Sequence, residues 1–301
     1  MKLLIIGGSG YIGQNFIRFL INKNIKILNI DLVNSHIKHK NLKSFLFDYR
    51  NDKSLHRVLS KYKIDIVYHF ASKKSPSSTS KDSFEYFDIN SFAIANLLTN
   101  IKKYNIKKFF FSSCSSVYGN NDFGYKSKET DKLNPINKRG LSKVFAEKII
   151  IDLCKTLKIN FFIARYFNVI DLKINYNSKY KNENLSDCFQ KSLIYKKNFF
   201  ANEKISIIED NTLYRDYIDI NDVLSFNYKS LKYLKNGKSI IINCGSSNIY
   251  SVKYLNEYFC KNNNTKIMNH YKKKDNVDIL YSKANISKAK KILNWVPKKT
   301  L

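Results

Sequence analysis

Three glycines near the start of the chain have the spacing that suits a bound phosphate. Gly7, Gly10 and Gly13 directly follow the apolar run over residues 3–6. Glycine lets the backbone turn tightly and approach a ligand with no Cβ in the way. A helix that starts there presents free N–H groups and the positive end of its dipole. Since four of the chain's nine glycines lie in its first thirteen residues, the pattern predicts a pyrophosphate site.

Asp31 ends the next apolar run, over residues 25–30. An acid about 20 residues after such a glycine turn can accept a hydrogen bond from a ribose 2′-hydroxyl. The same carboxylate repels a 2′-phosphate, and residues 32–35 carry no balancing cation. These residues therefore predict a dinucleotide site that takes NAD rather than NADP.

Two cations, Arg139 and Lys143, stand four residues apart, and on a helix they project from the same face. If Arg139 points into a site, repulsion lowers the pKa of Lys143 and makes its amine a possible base. A guanidinium cannot itself act as a base. Alternatively, Arg139 turns outward and pairs with Glu129 or Asp131.

These residues need a scaffold of alternating strands and helices, and the apolar patterning indicates one. We predict an α/β fold, a Rossmann-type doubly wound parallel sheet with a smaller C-terminal lobe that binds substrate. The dinucleotide-binding domain is expected over 1–167 plus about 215–243, and the lobe over 168–214 plus about 244–301. Strands are predicted over 3–6, 25–30, 45–47, 64–70, 108–112, 160–164, 205–208 and 239–243, and helices over 14–22, 54–62, 83–104, 142–157, 186–195, 222–234, 251–261 and 286–293. The polar stretch 171–184 is expected to be a surface loop.

The net charge of +29 raises the question of nucleic-acid binding. The lysines are dispersed along the chain and no known nucleic-acid module is visible. We therefore expect no specific nucleic acid as a partner. Nucleic-acid binding remains a minor hypothesis, behind the two given below, because it rests on charge alone.

The five cysteines are odd in number and widely scattered. This distribution argues against a disulfide framework and against a zinc site, so no metal is expected. No apolar run approaches the ~18 residues of a membrane span, and no signal peptide is visible. We expect a cytoplasmic protein that does not bind membranes.

A series of motifs, in order, resembles the extended short-chain dehydrogenase/reductases, in the branch of nucleotide-sugar epimerases and dehydratases that includes the UDP-glucose 4-epimerases. The motifs are Gly-Gly-Ser-Gly-Tyr-Ile-Gly13, Asp31, Asp48, His-Phe-Ala71, Asn90, Ser-Ser-Cys-Ser-Ser-Val-Tyr-Gly119, Arg-Gly-Leu-Ser-Lys143, Arg-Tyr-Phe-Asn168, Arg-Asp-Tyr217 and Leu-Asn-Trp-Val-Pro297. The resemblance covers nearly the whole chain.

The resemblance implies a role for each matching position. The glycines hold the NAD pyrophosphate, Asp31 the adenine-side ribose and Asp48 the adenine, while Lys143 binds the nicotinamide ribose. The implied cofactor-binding set is Gly7, Gly10, Tyr11, Ile12, Gly13, Asp31, Leu32, Asp48, Tyr49, Phe70, Ala71, Ser72, Lys74, Asn90, Ser112, Lys143, Tyr166 and Asn168.

The substrate implied by the resemblance is a nucleotide sugar. The implied substrate-binding set is Lys74, Cys114, Asn168, Arg215 and Lys272. Arg215 matches the arginine that pairs with the diphosphate, and Lys272 or Lys273 stands in for a second phosphate-binding arginine. The family commonly dimerises through two long helices, which match 83–104 and 142–157 here, so a homodimer is expected.

The chain departs from the family pattern at two catalytic positions. The family uses Ser or Thr, Tyr and Lys, and the tyrosine takes a proton from the sugar hydroxyl while hydride passes to NAD. In this chain the hydroxyl position is Cys114 and the tyrosine position is Arg139, while Lys143 is kept. The expected catalytic set is Lys143, Cys114, Arg139 and Ser115.

A missing acid or base typically costs ~10²–10⁴ in rate. Other candidates for the base are Tyr118, Tyr125, Ser115 and Ser116. Positive charge near the nicotinamide favours the neutral reduced ring, so we expect NADH to be held tightly.

Two principal functions remain open. The first is an NAD-dependent oxidoreductase acting at C4 of a nucleotide-linked sugar (UDP- or GDP-sugar), as a 4-dehydrogenase giving a 4-keto sugar or as a 4-epimerase. The second is a non-catalytic subunit that binds NAD or a nucleotide sugar. Polysaccharide biosynthesis is the pathway that the resemblance suggests.

Overall fold

The computed structural model of the 301-residue chain describes residues 1–73, 80–171, 205–208, 213–262, 269–272 and 278–299. The predicted helix over 186–195 and most of the predicted loop over 171–184 lie outside these residues.

A seven-stranded sheet forms the centre of the molecule, and all its neighbouring strands are parallel. Leu3 in the first strand stands opposite Ile27 on one side and Ile66 on the other. The strands are β1 Lys2–Ile6, β2 Lys26–Asp31, β3 Leu42–Leu46, β4 Ile66–His69, β5 Lys108–Cys114, β6 Asn160–Tyr166 and β10 Ile240–Cys244. Their order in the sheet is β10-β6-β5-β4-β1-β2-β3. The predicted α/β Rossmann-type sheet is confirmed.

Helices cover both faces of this sheet because its strands are apolar on both sides. One buried cluster includes Phe16 and Phe226, and the other includes Leu97 and Ile150. The helices are α1 Tyr11–Ile21, α2 Asp52–Lys61, α3 Ser80–Phe87, α4 Ala93–Lys103, α5 Lys138–Leu157, α6 Ile220–Lys235, α7 Val252–Asn262 and α8 Ser287–Leu293.

The single long helix predicted over 83–104 is interrupted. A π-helical turn, Asp88–Phe92, separates α3 from α4. The buried Asn90 lies in this turn and hydrogen-bonds Ser72 and Lys73 after β4. A π turn is common where a helix must present a functional side chain, and helical periodicity alone does not reveal it.

Smaller sheets lie beyond the central one. Strand β9, Tyr214–Asp219, pairs with β7 Asn168–Ile170, β11 Ile249–Ser251 and β13 Tyr281–Ser282. Strands β8 Ile205–Ile208 and β12 Asn269–Lys272 form a two-stranded parallel sheet. Strand β9 begins where the sequence placed the second part of the dinucleotide-binding domain, yet it hydrogen-bonds the second sheet. The proposed division into two domains stays a prediction.

Candidate functional site

A cavity of about 1240 Å³ runs along the carboxyl ends of the parallel strands. It extends from the glycine turn after β1, past the end of β5, to Asn168 and Arg215. Ligands of open parallel sheets bind at this edge. Of the sequence-predicted site residues, the structure brings together at this cavity Gly7, Gly10, Tyr11, Ile12, Gly13, Asp31, Leu32, Asp48, Tyr49, Phe70, Ala71, Ser72, Ser112, Cys114, Ser115, Arg139, Lys143, Tyr166, Asn168 and Arg215.

The glycine turn forms one end of the cavity. Gly7 has φ +82°, and a Cβ there would lie 2.3 Å from the backbone nitrogen of Ala71. A Cβ on Gly13 would lie 2.3 Å from the carbonyl oxygen of Gly7. Only glycine fits both positions, and α1 starts directly after Gly10 with no side-chain cap on its first N–H groups. The turn therefore fits a pyrophosphate group at the N-terminus of this helix.

Asp31 joins the glycine turn to the end of β2. Its carboxylate accepts hydrogen bonds from the Ser9 N–H (2.8 Å) and the Val33 N–H (3.1 Å). The neighbouring Asn29 Oδ1 accepts one from the Gly8 N–H (3.0 Å). We did not predict a role for Asn29 or Ser9. The sequence does contain a signal for Asn29, an asparagine within an otherwise apolar run, and the structure shows that it is buried.

Asp48 lies in an ion-pair network at the cavity wall. Arg50 contacts Asp48 at 2.6 Å and Asp88 at 2.7 Å. Burial raises the pKa of Asp48, but the hydrogen bonds from Arg50 outweigh it and hold that pKa below its ordinary value. Arg50 was not predicted, and it ties the π turn to the edge where an adenine is expected.

Asn90 is buried behind the cavity wall and does not line it. Its Oδ1 accepts hydrogen bonds from Ser72 Oγ (3.0 Å) and the Lys73 N–H (2.8 Å), and its Nδ2 donates to the Lys73 carbonyl (3.1 Å). Asn90 therefore positions the segment that follows β4.

Lys143 projects from α5 towards the end of β5. Its Nζ donates to the Ser112 carbonyl (2.9 Å) and lies 4.6 Å from the centre of the Phe111 ring. The pKa of Lys143 is lowered to about 8, mainly because burial desolvates the amine and also because Arg139 repels its positive charge. At this pKa an appreciable fraction of the amine is neutral near physiological pH.

Arg139 lies in the first turn of α5, because the helix begins at Lys138 and not at the predicted residue 142. Its guanidinium lines the cavity and interacts with the Cys114 thiol, which raises the pKa of Arg139. The acids considered as outward partners bond elsewhere. Glu129 accepts from the Asn243 N–H, and Asp131 from Tyr125 and the Lys128 N–H.

Glu147 lies one turn after Lys143 on α5, and it is neutralised by another cation. Arg165 contacts it at 2.6 Å with both side chains buried, and Ser113 Oγ also donates to it (2.5 Å). Arg165 also donates to Tyr118 Oη, which in turn donates to Asn243. Tyr118 therefore takes part in a structural network, and neither it nor Tyr125 lines the cavity.

Tyr86 is a tyrosine near Cys114 and Arg139 that we did not predict. It is buried on α3, and its hydroxyl interacts with Arg139, Cys114 and Ser142; burial raises its pKa. It does not line the cavity.

The far end of the cavity holds Tyr166, Asn168 and Arg215. Tyr166 directs its hydroxyl away, to Asn227 Oδ1 (2.6 Å), so it contributes its ring. Asn168 Nδ2 donates to the Asp216 carbonyl (3.3 Å). Lys74 lies outside the described residues, and so does the side chain of Lys272, so neither can be placed at the site.

Among the described residues there is no group of three or more His, Cys, Asp or Glu side chains that could hold a metal ion. The helices in the described parts of the chain are all too short or too polar to cross a bilayer.

Comparison with known proteins shows which family has this sequence and this fold. The sequence profile described as NAD dependent epimerase/dehydratase family matches residues 3–245. The UDP-glucose 4-epimerase of Lactobacillus helveticus is 28% identical over 99% of this chain and 92% of its own length. The one of Lacticaseibacillus casei is 30% identical over 83% of this chain and 78% of its own.

Among solved structures, the UDP-glucose 4-epimerase of Bifidobacterium longum in complex with NAD+ and UDP superimposes with a TM-score of 0.88. It is 26% identical, and the alignment covers 100% of this chain and 94% of that one.

Proposed function

The chain belongs to the NAD dependent epimerase/dehydratase family, and from that membership we propose that it is an NAD-dependent oxidoreductase acting at C4 of a nucleotide-linked sugar. It acts as a 4-dehydrogenase that gives a 4-keto sugar, or as a 4-epimerase. The observation that carries the proposal is one continuous cavity, which joins the glycine turn to Lys143 and to Arg215.

In this proposal the glycine turn and Asp31 hold NAD, with Asp48 and Ala71 along the same wall. Their fit rests on the close contacts around Gly7 and Gly13, which exclude any side chain from the cradle. When bound, NAD supplies the acceptor for hydride from the sugar carbon. Arg215, at the other end, pairs with the diphosphate of the substrate.

Lys143 is proposed as the group that takes up the proton of the sugar hydroxyl. Its neutral amine has a free electron pair, and its lowered pKa makes that form accessible. Arg139 assists by keeping this pKa low, and Cys114 leaves room for the guanidinium beside it. Ser115 lines the same stretch of wall and offers a hydroxyl for orienting the sugar.

Incubation of the purified protein and NAD with a panel of UDP-, GDP- and dTDP-sugars tests this function. We expect a 4-keto product or inversion at C4 for at least one sugar. Binding without any product would overturn the proposed catalysis and favour the non-catalytic subunit instead.

The cations around the nicotinamide end also support tight binding of the reduced cofactor. We expect the purified protein to carry NADH, seen as reduced-nicotinamide absorption and fluorescence. A preparation that releases only oxidised NAD would contradict this part of the proposal.

A further inference from the structure

The charges along the cavity are strongly uneven. Its lining acids, Asp31, Asp48 and Glu85, lie on the side of the glycine turn, and the last two are ion-paired with Arg50 and Lys73 respectively. From the end of β5 to Val252, the described lining residues include three cations and no carboxylate. This half of the cavity is therefore built for an anion.

Of these three cations, Lys143 donates to the Ser112 carbonyl and Arg215 to the Tyr214 carbonyl, whereas Arg139 interacts with the Cys114 thiol. None of the ion pairs between described residues includes it, and Arg139 is an exposed residue that faces the cavity, whereas the buried Arg165 is paired with Glu147. Arg139 also stands in the first turn of α5, where no acidic residue offsets the positive end of the helix dipole. A second cation, Lys143, follows one turn later.

The backbone holds this cation in position. Gly140, directly after Arg139, is so close to the 3₁₀ turn Ser115–Val117 that a Cβ would lie 2.2 Å from the Ser116 carbonyl oxygen. Asn137 caps the helix by accepting from the Gly140 N–H (2.9 Å). The start of α5 is therefore pressed against the cavity wall, and the backbone of Arg139 is fixed beside that wall.

We propose that Arg139 binds a carboxylate on the sugar, so that the substrate is a nucleotide-linked uronic acid. This rests on the proposed function. In a hexuronate the carboxylate is attached to C5, next to the C4 that reacts. Side chains four residues apart on a helix face lie about 5–6 Å apart at Cβ. If the Lys143 amine lies at the C4 hydroxyl, the Arg139 guanidinium therefore lies beside C5. A guanidinium suits bidentate binding of a carboxylate.

A neutral hexose would leave this guanidinium facing the cavity beside Lys143 with no counter-charge from the substrate. A diphosphate bound at Arg215 cannot also pair with Arg139. The sugar ring separates the diphosphate from C4, and Arg139 lies beside C4 in this proposal. A carboxylate on the sugar therefore supplies the counter-charge for the Arg139 guanidinium, which the nucleotide diphosphate does not supply.

Isothermal titration of the NAD-loaded protein with matched sugars tests the inference. The pairs are UDP-glucuronate with UDP-glucose and UDP-galacturonate with UDP-galactose, with UDP alone as reference, and the GDP-mannuronate and GDP-mannose pair covers the other nucleotide. We expect the acidic member to bind about 10- to 100-fold more tightly. In Arg139→Gln the acidic and the neutral sugar should bind about equally well, whereas Arg139→Lys should keep part of the preference for the acidic sugar.

Lys138→Gln is the matched control, since it removes the same charge from an exposed neighbour that donates to Ser83 outside the cavity. Its preference should equal that of the unaltered protein, and thermal melting checks that each variant folds. Equal affinity for acidic and neutral sugars overturns the inference alone. Equal loss of affinity for UDP and for the uronate in Arg139→Gln also overturns it, because the arginine then binds the diphosphate. No binding of any nucleotide sugar overturns the proposed function as well.

Discussion

The Lys143 ammonium group contacts a backbone oxygen and an aromatic ring, while the nearby Glu147 is engaged by Arg165. This arrangement has a chemical consequence. A direct carboxylate partner would raise the pKa of the amine, whereas burial and Arg139 lower it. Cys114 and Glu147, which is engaged by Arg165, raise the pKa of Lys143, but burial and Arg139 outweigh them.

The rate of sugar oxidation is expected to rise with pH through about 8, the pKa of Lys143. Below this value the amine is protonated, so the rate should fall about tenfold per pH unit. Removing Arg139 removes a cation that lowers this pKa, so the profile of Arg139→Gln should move to higher pH. Steady-state rates from pH 6 to 10 measure both, with Lys138→Gln as the control.

Tyr86 offers a separate test of the same assignment. If Lys143 is the base, Tyr86→Phe should retain an apparent pKa near 8, because Tyr86 does not line the cavity. A profile that loses this inflection in Tyr86→Phe would assign the proton transfer to the tyrosine instead.

Asp31 should decide between the two nicotinamide dinucleotides. Asp31→Asn removes the charge that repels a 2′-phosphate but keeps an acceptor for the glycine turn. We expect NAD to bind about tenfold more weakly and the preference for NAD over NADP to shrink. Fluorescence titration with NADH and NADPH measures the ratio, and an unchanged ratio would contradict the assigned role.

At the scale of elements, the π turn Asp88–Phe92 anchors the end of β4 through Asn90. Asn90→Ala removes the side chain that hydrogen-bonds the partly buried N–H and carbonyl of Lys73. We expect this change to lower the free energy of unfolding by about 1–3 kcal/mol and to weaken NAD binding. Urea denaturation measures the first.

Asn96→Ala serves as the control for Asn90→Ala. Asn96 lies on the exposed face of α4 and bonds Asp52 (2.7 Å), so its loss should change stability by no more than about 0.5 kcal/mol. Similar effects of the two substitutions would show that the π turn does not anchor the cavity wall.

At the scale of the whole molecule, the π turn Asp88–Phe92 packs against α5, and the two leave apolar side chains on the surface. Phe92, Leu141, Phe145 and Ile151 are all exposed. Exposed apolar side chains grouped in this way mark an interaction surface, and a two-fold dimer places this surface against its own copy. The homodimer is a proposal that this surface supports.

Phe145→Glu is expected to convert the dimer to a monomer, because it places a charge in the proposed interface. Light scattering coupled to size-exclusion chromatography measures the mass. Ile292→Glu, on the exposed side of α8, is the control and should leave the mass unchanged. A monomeric unaltered protein would contradict the proposal directly.

The sequence alone was sufficient for the sheet and for its family. Glycine spacing, buried apolar runs and the acid after β2 are local patterns, and each has a local physical cause. They predicted the Rossmann-type architecture, and family membership was evident from motifs in order.

Tertiary structure decided what local patterns do not encode. It started α5 early enough to include Arg139, turned that side chain towards Cys114, and interrupted the helix before α4 with a π turn. It also engaged Glu147 with Arg165, from a different strand. The pKa of Lys143 depends on these long-range neighbours, because desolvation and Coulomb interactions act across space between elements that are distant in the chain.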